Sequence, residues 1–263
     1  MEEANVHGLV VRETKVGDHD KILTLLTLEK GLITVTGKGV RSLKSKNMVS
    51  CQPFTYSSFF IKKTNKYYYI SESQSIENFF GIKENLDKLA LASYICDVAA
   101  ELSVEDMPDP DLLRLTLNTL YAIDKDKYSL VQIKAAFEMR ASAISGFLPD
   151  LTGCGMCDKE PEEDHYLDIM NGRILCKECK PLAESEEIIN ESGTARLYYI
   201  ISKTVLCAMR YIVSAPAEKF LSFSIDEDEL YLLGKVTEAY LCNHIEHSFY
   251  TLDFYKSLLI RIL

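Results

Sequence analysis

Four cysteines stand in two close pairs, Cys154-Gly-Met-Cys157 and Cys176-Lys-Glu-Cys179, with 18 residues between the pairs. Two residues between cysteines let both thiolates of a pair reach one ion from a tight turn, and the longer spacing falls in the window of structural zinc sites. Four thiolates fill a tetrahedron and leave no position for water, so Zn2+ held there is structural and not catalytic. Two other readings stay open. The cysteines can be unligated or form two redox pairs, and His165, which lies between the pairs, can replace one ligand. Cys51, Cys96, Cys207 and Cys242 read as small core or half-buried residues.

The second constellation is cationic. Gly37-Lys38-Gly39-Val40-Arg41-Ser42-Leu43-Lys44-Ser45-Lys46 sets charges among small residues that admit a close backbone approach, and Lys62, Lys63 and Lys66 follow. Between Lys30 and Glu72 there is no acidic residue. Phe54, Tyr56, Phe59, Phe60 and Tyr67 to Tyr69 are interleaved with these cations. A basic groove combined with stacking rings is how OB-folds hold single-stranded nucleic acid. The competing reading is a solvated charged loop with aromatics facing a core, and composition does not choose between them.

The net charge of −10 argues against a phosphate-rich partner only on average. Residues 1–80 hold 11 Lys and Arg against 8 Asp and Glu, while the remainder holds 18 against 31. A local basic surface therefore sits on an acidic protein.

Other chemistry is poorly provided for. The chain has no Walker lysine loop, no H-E-x-x-H and no G-x-S-x-G elbow, so no enzyme is expected. Asp226-Glu227-Asp228-Glu229 reads as a helix N-terminus before it reads as a magnesium site. His244 and His247 read as a solvated helix face before a metal pair. The N-terminus lacks the cationic and apolar parts of a signal peptide, and no apolar run reaches the roughly 18 residues of a membrane span, so a cytoplasmic protein is expected.

These residues need elements to position them. HGLVVRET, KILTLLTL, GLITVTGKGV, FTYSSFFIKK and KYYYISES are rich in Val, Ile, Thr, Tyr and Phe and separated by turn residues, which predicts five strands in a small barrel of OB type. KILTLLTL also admits a helical reading through its leucines. After Gly81 the period changes to a helical one at Leu86, Leu89, Ala90, Ile95, Val98, Ala99 and Leu102. Further helices are expected at Leu112 to Ile123, Ser129 to Ile144, Thr194 to Tyr211 and, introduced by Ser224, Glu229 to His247, the last one. HYLDIM, Asn171-Gly172 and RIL predict a hairpin between the cysteine pairs. The fold class is thus multidomain α+β. An OB-fold β-barrel (1–80) precedes an all-α helical domain in two parts (81–150 and 183–263), with a four-cysteine zinc-binding element at 151–182.

GKGVRSLKSK followed by Gln52-Pro53-Phe54 resembles the loop and following strand of the RecO family, bacterial proteins of recombinational DNA repair. Phe137-Glu138-Met139-Arg140, then Gly146-Phe147-Leu148-Pro149-Asp150-Leu151 running into Cys154 and Cys157, is similar to the RecO helix that leads into its zinc motif. The resemblance implies a non-enzymatic recombination mediator that binds single- and double-stranded DNA, anneals complementary strands, and works with RecR and the single-strand-binding protein to help RecA load at gaps. It also implies phosphate contacts for Lys38, Arg41, Lys44 and Lys46, with Lys62, Lys63 and Lys66 added by charge alone. The alternative is a zinc-containing protein adaptor with an incidental basic loop.

Overall fold

The structure, a computed structural model, describes residues 2–160, 165–183 and 197–259. Contacts divide the chain into two compact units, Met1–Lys127 with Phe249–Leu263, and Tyr128–Ser248. The sequence boundaries at 80 and 150 mark where element type changes, whereas these units mark where packing concentrates.

The first unit opens with β1 (Glu2–Val16), β2 (Asp20–Thr27), β3 (Gly31–Gly37), β4 (Thr55–Thr64) and β5 (Tyr67–Asn78), closed into a barrel in the order β1-β2-β3-β5-β4. Neighbours are antiparallel except β3 and β5, which run parallel with Val35 opposite Tyr68 and Thr36 opposite Tyr69. This is the five-stranded OB arrangement. KILTLLTL is a strand: Lys21, Leu23 and Leu25 point inward while Ile22 and Thr24 do not, so alternation overrides the leucine-rich helical reading. The interior is filled by Val6, Val10, Leu23, Leu25, Phe59 and Ile61, and Val40 and Cys51 join it from the β3–β4 connection. Burying each such aliphatic or aromatic side chain stabilises the fold by roughly 1.5–3 kcal/mol. Lys21 is buried too, with its ammonium 2.5 Å from Glu13 and 3.3 Å from the Cys51 carbonyl. Pairing makes that buried charge tolerable, but removes it from the basic surface.

Helices α1 (Leu86–Leu102), α2 (Pro110–Lys125), α3 (Leu130–Ile144), α4 (Lys203–Ser214), α5 (Glu227–Ile245) and α6 (Tyr250–Leu259) follow, with a 3-10 turn at Phe80–Glu84 before α1. Their starts are chemically marked: the Asn85, Asp109, Ser129 and Asp226 side chains accept from first-turn N–H groups of α1, α2, α3 and α5. Within the first unit α1 is buried along most of its length and is flanked by α2 and α6, with Tyr94 edge-on to Phe249 at 5.6 Å. The β2–β3 turn meets the 103–109 connection backbone to backbone. At Gly31, with φ +62°, a Cβ would lie 2.4 Å from the Met107 carbonyl, so only glycine fits.

The second unit packs α3 against α5 and α4, and adds a small sheet in the order β6-β8-β7-β9 from β6 (Asp150–Cys154), β7 (His165–Asp168), β8 (Arg173–Leu175) and β9 (Tyr198–Ile201).

Several sequence expectations are corrected here. The helix expected over Thr194 to Tyr211 is a strand followed by a shorter helix, because Tyr198–Ile201 pairs antiparallel with β7 and Ser202 then caps α4; residues 194–196 lie outside the described residues. The cap of α5 is Asp226, not Ser224, so the helix starts at Glu227 and ends at Ile245. A further helix, α6, follows the one that the sequence marks as last. Among the described residues no helix is long and apolar enough to cross a membrane.

Candidate metal centre and nucleic-acid interface

The four motif cysteines come together: their sulfurs all lie within 4.8 Å of one another. Cys154 ends β6 and Cys157 follows in the turn, where the Asp158 N–H donates to the Cys154 carbonyl. The second pair sits after β8, where the Cys179 N–H donates to the Cys176 carbonyl and a helical turn begins at 180. Hairpin β7–β8 brings the two pairs face to face, since Cys154 is in register with Ile174 of β8. The Cys157 and Cys176 sulfurs are 3.9 Å apart. A tetrahedron with metal–sulfur bonds of about 2.3 Å has edges of about 3.8 Å, so the donor set fits a zinc-sized ion.

These thiols differ in acidity: contact with Cys176 pushes Cys179 up, and, against the Lys159 N–H, burial and contact with Cys154 raise Cys157. Burial pushes the Cys154 thiol up, but N–H groups of Cys176, Met156 and Cys157 favour the thiolate and bring the pKa down to about 6. None of the cysteines is in a disulfide, and His165, only 3% exposed, is not one of the clustered groups.

Two supports of this knuckle are not legible in the sequence. Arg210 of α4 reaches back across 59 residues, donating from Nε to the Leu151 carbonyl at 2.7 Å and from its terminal nitrogens to the Thr152 carbonyl and Glu160. Tyr240 of α5 donates to the Phe147 carbonyl at 2.8 Å and stands against the hairpin turn, where a Cβ at Gly172 would be 2.7 Å from its hydroxyl. The turn also departs from the two-residue form expected for Asn-Gly. β7 ends at Asp168, whose carboxylate accepts from the Asn171 backbone and side chain, and of the two turn residues only Gly172 is left-handed, at φ +59°.

The residues around the cationic motif are held firmly. Val40 and Cys51 are 1% and 0% exposed and pin the β3–β4 connection into the barrel at two points. Between them, Gly39 donates to Asp20, the Arg41 N–H to the His19 carbonyl, and the Arg41 guanidinium to the Gly17 carbonyl. Lys38, Lys44 and Lys46 are exposed, while Arg41 is half-buried.

Because β5 stands between β3 and β4, it carries two tyrosines into the middle of the charges. Lys38 lies 5.0 Å over Tyr69, Lys63 lies 4.9 Å over Tyr68, and Lys62 is in register with Tyr69. Lys62 also pairs with Glu3 at 2.9 Å, so its charge is partly answered. Lys66 is exposed in the β4–β5 turn beside Tyr67, itself 66% exposed.

The remaining motifs are structural. Glu138 is fully buried, held by Lys134 at 2.8 Å and by the Thr237 hydroxyl at 2.8 Å, and Arg140 donates to the Ile212 and Ala215 carbonyls at the end of α4. The acidic run at 226–229 caps α5, and Glu229 also accepts from Ser202. His244 sits at 3.0 Å from the Tyr240 carbonyl, with its ring stacked on Phe147.

Fold and site together define an OB-barrel protein whose helical body carries a four-cysteine cluster able to hold a metal. A family model described as Recombination protein O N terminal matches residues 1–79, and one described as Recombination protein O C terminal matches residues 83–253. The chain belongs to the RecO family of DNA repair proteins. It is 30% identical to DNA repair protein RecO of Acetivibrio thermocellus over 98% of both chains. Similarity to the RecO protein of Alkaliphilus metalliredigens is 26% over 95% of this chain and 98% of that one. The RecO protein of Dehalococcoides mccartyi (strain ATCC BAA-2266) is 33% identical over 66% of this chain and 68% of its own.

Proposed function

We propose that the protein is a non-enzymatic recombination mediator. It binds single- and double-stranded DNA, anneals complementary strands and, with RecR and the single-strand-binding protein, helps RecA load at single-stranded gaps. One observation carries the reading: a β3–β4 connection locked into the barrel core by Val40 and Cys51 presents Lys38, Lys44 and Lys46 to solvent. Cations on a prearranged backbone hold phosphates without choosing sequence. Arg41, Lys62, Lys63 and Lys66 extend that surface, and Tyr67 and Tyr69 supply rings beside it, while Tyr68 belongs to the barrel core. Annealing suits such a surface, because strands held by their phosphates keep their bases free to pair.

In this reading residues 1–80 are the DNA-binding domain, 81–150 and 183–263 form the helical body, and 151–182 form the zinc element. Cys154, Cys157, Cys176 and Cys179 hold one Zn2+, which supplies local folding energy and no chemistry on the DNA. The protein acts in the cytoplasm, on the nucleoid.

The test is fluorescence anisotropy of a labelled single-stranded oligonucleotide over a range of salt, on zinc-loaded protein. Affinity is expected to fall steeply with salt, and Arg41→Glu with Lys44→Glu to flatten the slope by about 0.7 for each phosphate no longer neutralised. Folded protein that binds neither single strand nor duplex at low salt points instead to the protein adaptor.

A further inference from the structure

Within the first unit, the second half of the β3–β4 connection and the residues that leave β5 enclose a groove of about 210 Å3. Liquid water occupies about 30 Å3 per molecule, so there is space for a ring system. Met48, Val49, Phe54, Phe79 and Phe80 form apolar walls, and Lys83 stands among them. Phe54 and Phe79 are 5% and 4% exposed, whereas Phe80 is 64% exposed and offers an open aromatic face.

Two further features separate this groove from ordinary surface. Phe54 has φ 62°, a left-handed conformation that a bulky side chain rarely adopts, and its N–H is tied to the Val10 carbonyl at 3.0 Å. Backbone held in such a state collects at ligand clamps. Lys83 has no ion pair among the described residues. Although Lys83 is exposed at the rim of the groove, the part of it shielded from water lowers its pKa, with Lys21 and against Glu13.

We propose that this groove holds one unstacked nucleobase of a single strand, with Phe80 as the stacking face and Lys83 on a neighbouring phosphate. The inference rests on the DNA-binding reading and names the part of the ligand that the cationic loop does not touch. Met48 and Val49 follow Lys46 closely along the same connection, so a strand whose phosphates lie on Lys44 and Lys46 passes the groove. Gln52 and Asn78 place amide groups at its lining, and Gln52 Nε2 is already engaged with the Met48 carbonyl at 3.1 Å, which leaves its oxygen as an acceptor. Every base carries an N–H from which this oxygen can accept, so sequence is not selected. A duplex keeps its bases stacked and offers nothing to the groove, which therefore distinguishes single strands from duplex.

The experiment uses full-length, zinc-loaded protein and an oligothymidylate carrying one 5-iodouracil. Long-wavelength ultraviolet light is expected to crosslink that base to Phe80, as mapped by peptide mass spectrometry. Phe80→Ala is expected to weaken single-strand affinity roughly 5- to 150-fold at every salt concentration, the range of base–aromatic stacking, with duplex affinity and salt slope unchanged. Phe80→Trp retains binding, and Lys83→Gln lowers the slope by about 0.7, the share of one phosphate. Because Phe80 is exposed, these variants keep the fold, and circular dichroism checks it. Wild-type binding with an undiminished Phe80→Ala variant overturns the groove assignment alone. The same conclusion follows if Phe80→Ala binds DNA normally but loses a protein partner. A wild-type protein that binds no single strand overturns both this inference and the reading beneath it.

Discussion

Arg12 and Asp97, 85 residues apart, meet at 2.7 Å, and the second carboxylate oxygen of Asp97 accepts from the Thr251 hydroxyl at 2.8 Å. Arg12 lies beside the bulge of β1, Asp97 on α1 and Thr251 on α6, so a single carboxylate ties a barrel strand to two helices. The Arg12 side chain is 48% exposed, which keeps the ion pair itself at no more than about 1 kcal/mol. The less exposed hydroxyl contact adds about 1 kcal/mol. Asp97→Ala is therefore expected to cost about 1–2 kcal/mol in urea unfolding and Thr251→Val about half of that. Equal stability of Asp97→Ala and wild type would show that the tie is incidental.

Glu138 is the more consequential carboxylate. It is fully buried and shares Lys134 with Glu238, at 2.8 and 2.7 Å. Glu138→Ala takes a carboxylate from Lys134 and leaves the Thr237 hydroxyl only its longer 3.4 Å contact with the Gly234 carbonyl, and is expected to cost about 3–5 kcal/mol. Glu138→Met with Lys134→Met removes both buried charges together and is expected to recover much of the loss. Failure of the double variant to exceed the single one would mean that Glu138 acts through packing alone.

Removing one thiolate tests the metal centre. Cys176→Ser is expected to release the zinc, measured as loss of about one ion per chain, and to unfold the knuckle while the barrel stays folded, because the binding energy is spent locally. A strong chelator is expected to do the same to the wild type. Full metal content in Cys176→Ser would take that residue out of the ligand set.

The hairpin turn offers a sharper geometric test. Gly172→Ala meets the Tyr240 hydroxyl at 2.7 Å and must also adopt φ +59°. The strain is expected to cost more than about 1 kcal/mol. In the Gly172→Ala background, Tyr240→Phe removes the clashing atom but also the hydrogen bond to Phe147, so partial recovery is expected. No coupling between the two substitutions would show that the turn rearranges away from α5.

The parts of this molecule that are legible in the sequence are those governed by local chemistry. The C-x-x-C spacing, the alternation of β2 and β4 and the helix start at Ser129 depend on residues within one turn or strand of each other. Tyr198–Ile201 escapes a sequence reading because its apolar run suits a buried helix equally well, and only pairing with β7 makes it a strand. Arg210 carries no local signal, since its acceptors at Leu151 and Thr152 lie 59 and 58 residues away. Lys21 passes for a surface charge until the barrel closes around it. The groove at Phe80 is hidden for the same reason: its walls come from two stretches separated by most of β4 and β5.

The division of the chain carries a consequence for its synthesis. α6 belongs with the barrel, yet 121 residues of the second unit, Tyr128–Ser248, are made between α2 and it. At about 5–20 residues per second, a ribosome delivers the covering helix roughly 6–24 s after the rest of the barrel unit has been made. Until then, the side of α1 that receives Phe249 and α6 lacks that cover, and Tyr94 lacks the Phe249 ring. A nascent chain stalled or prematurely terminated within the second unit would thus strand an apolar surface on the first, inviting chaperone capture or aggregation even though every barrel residue is already present.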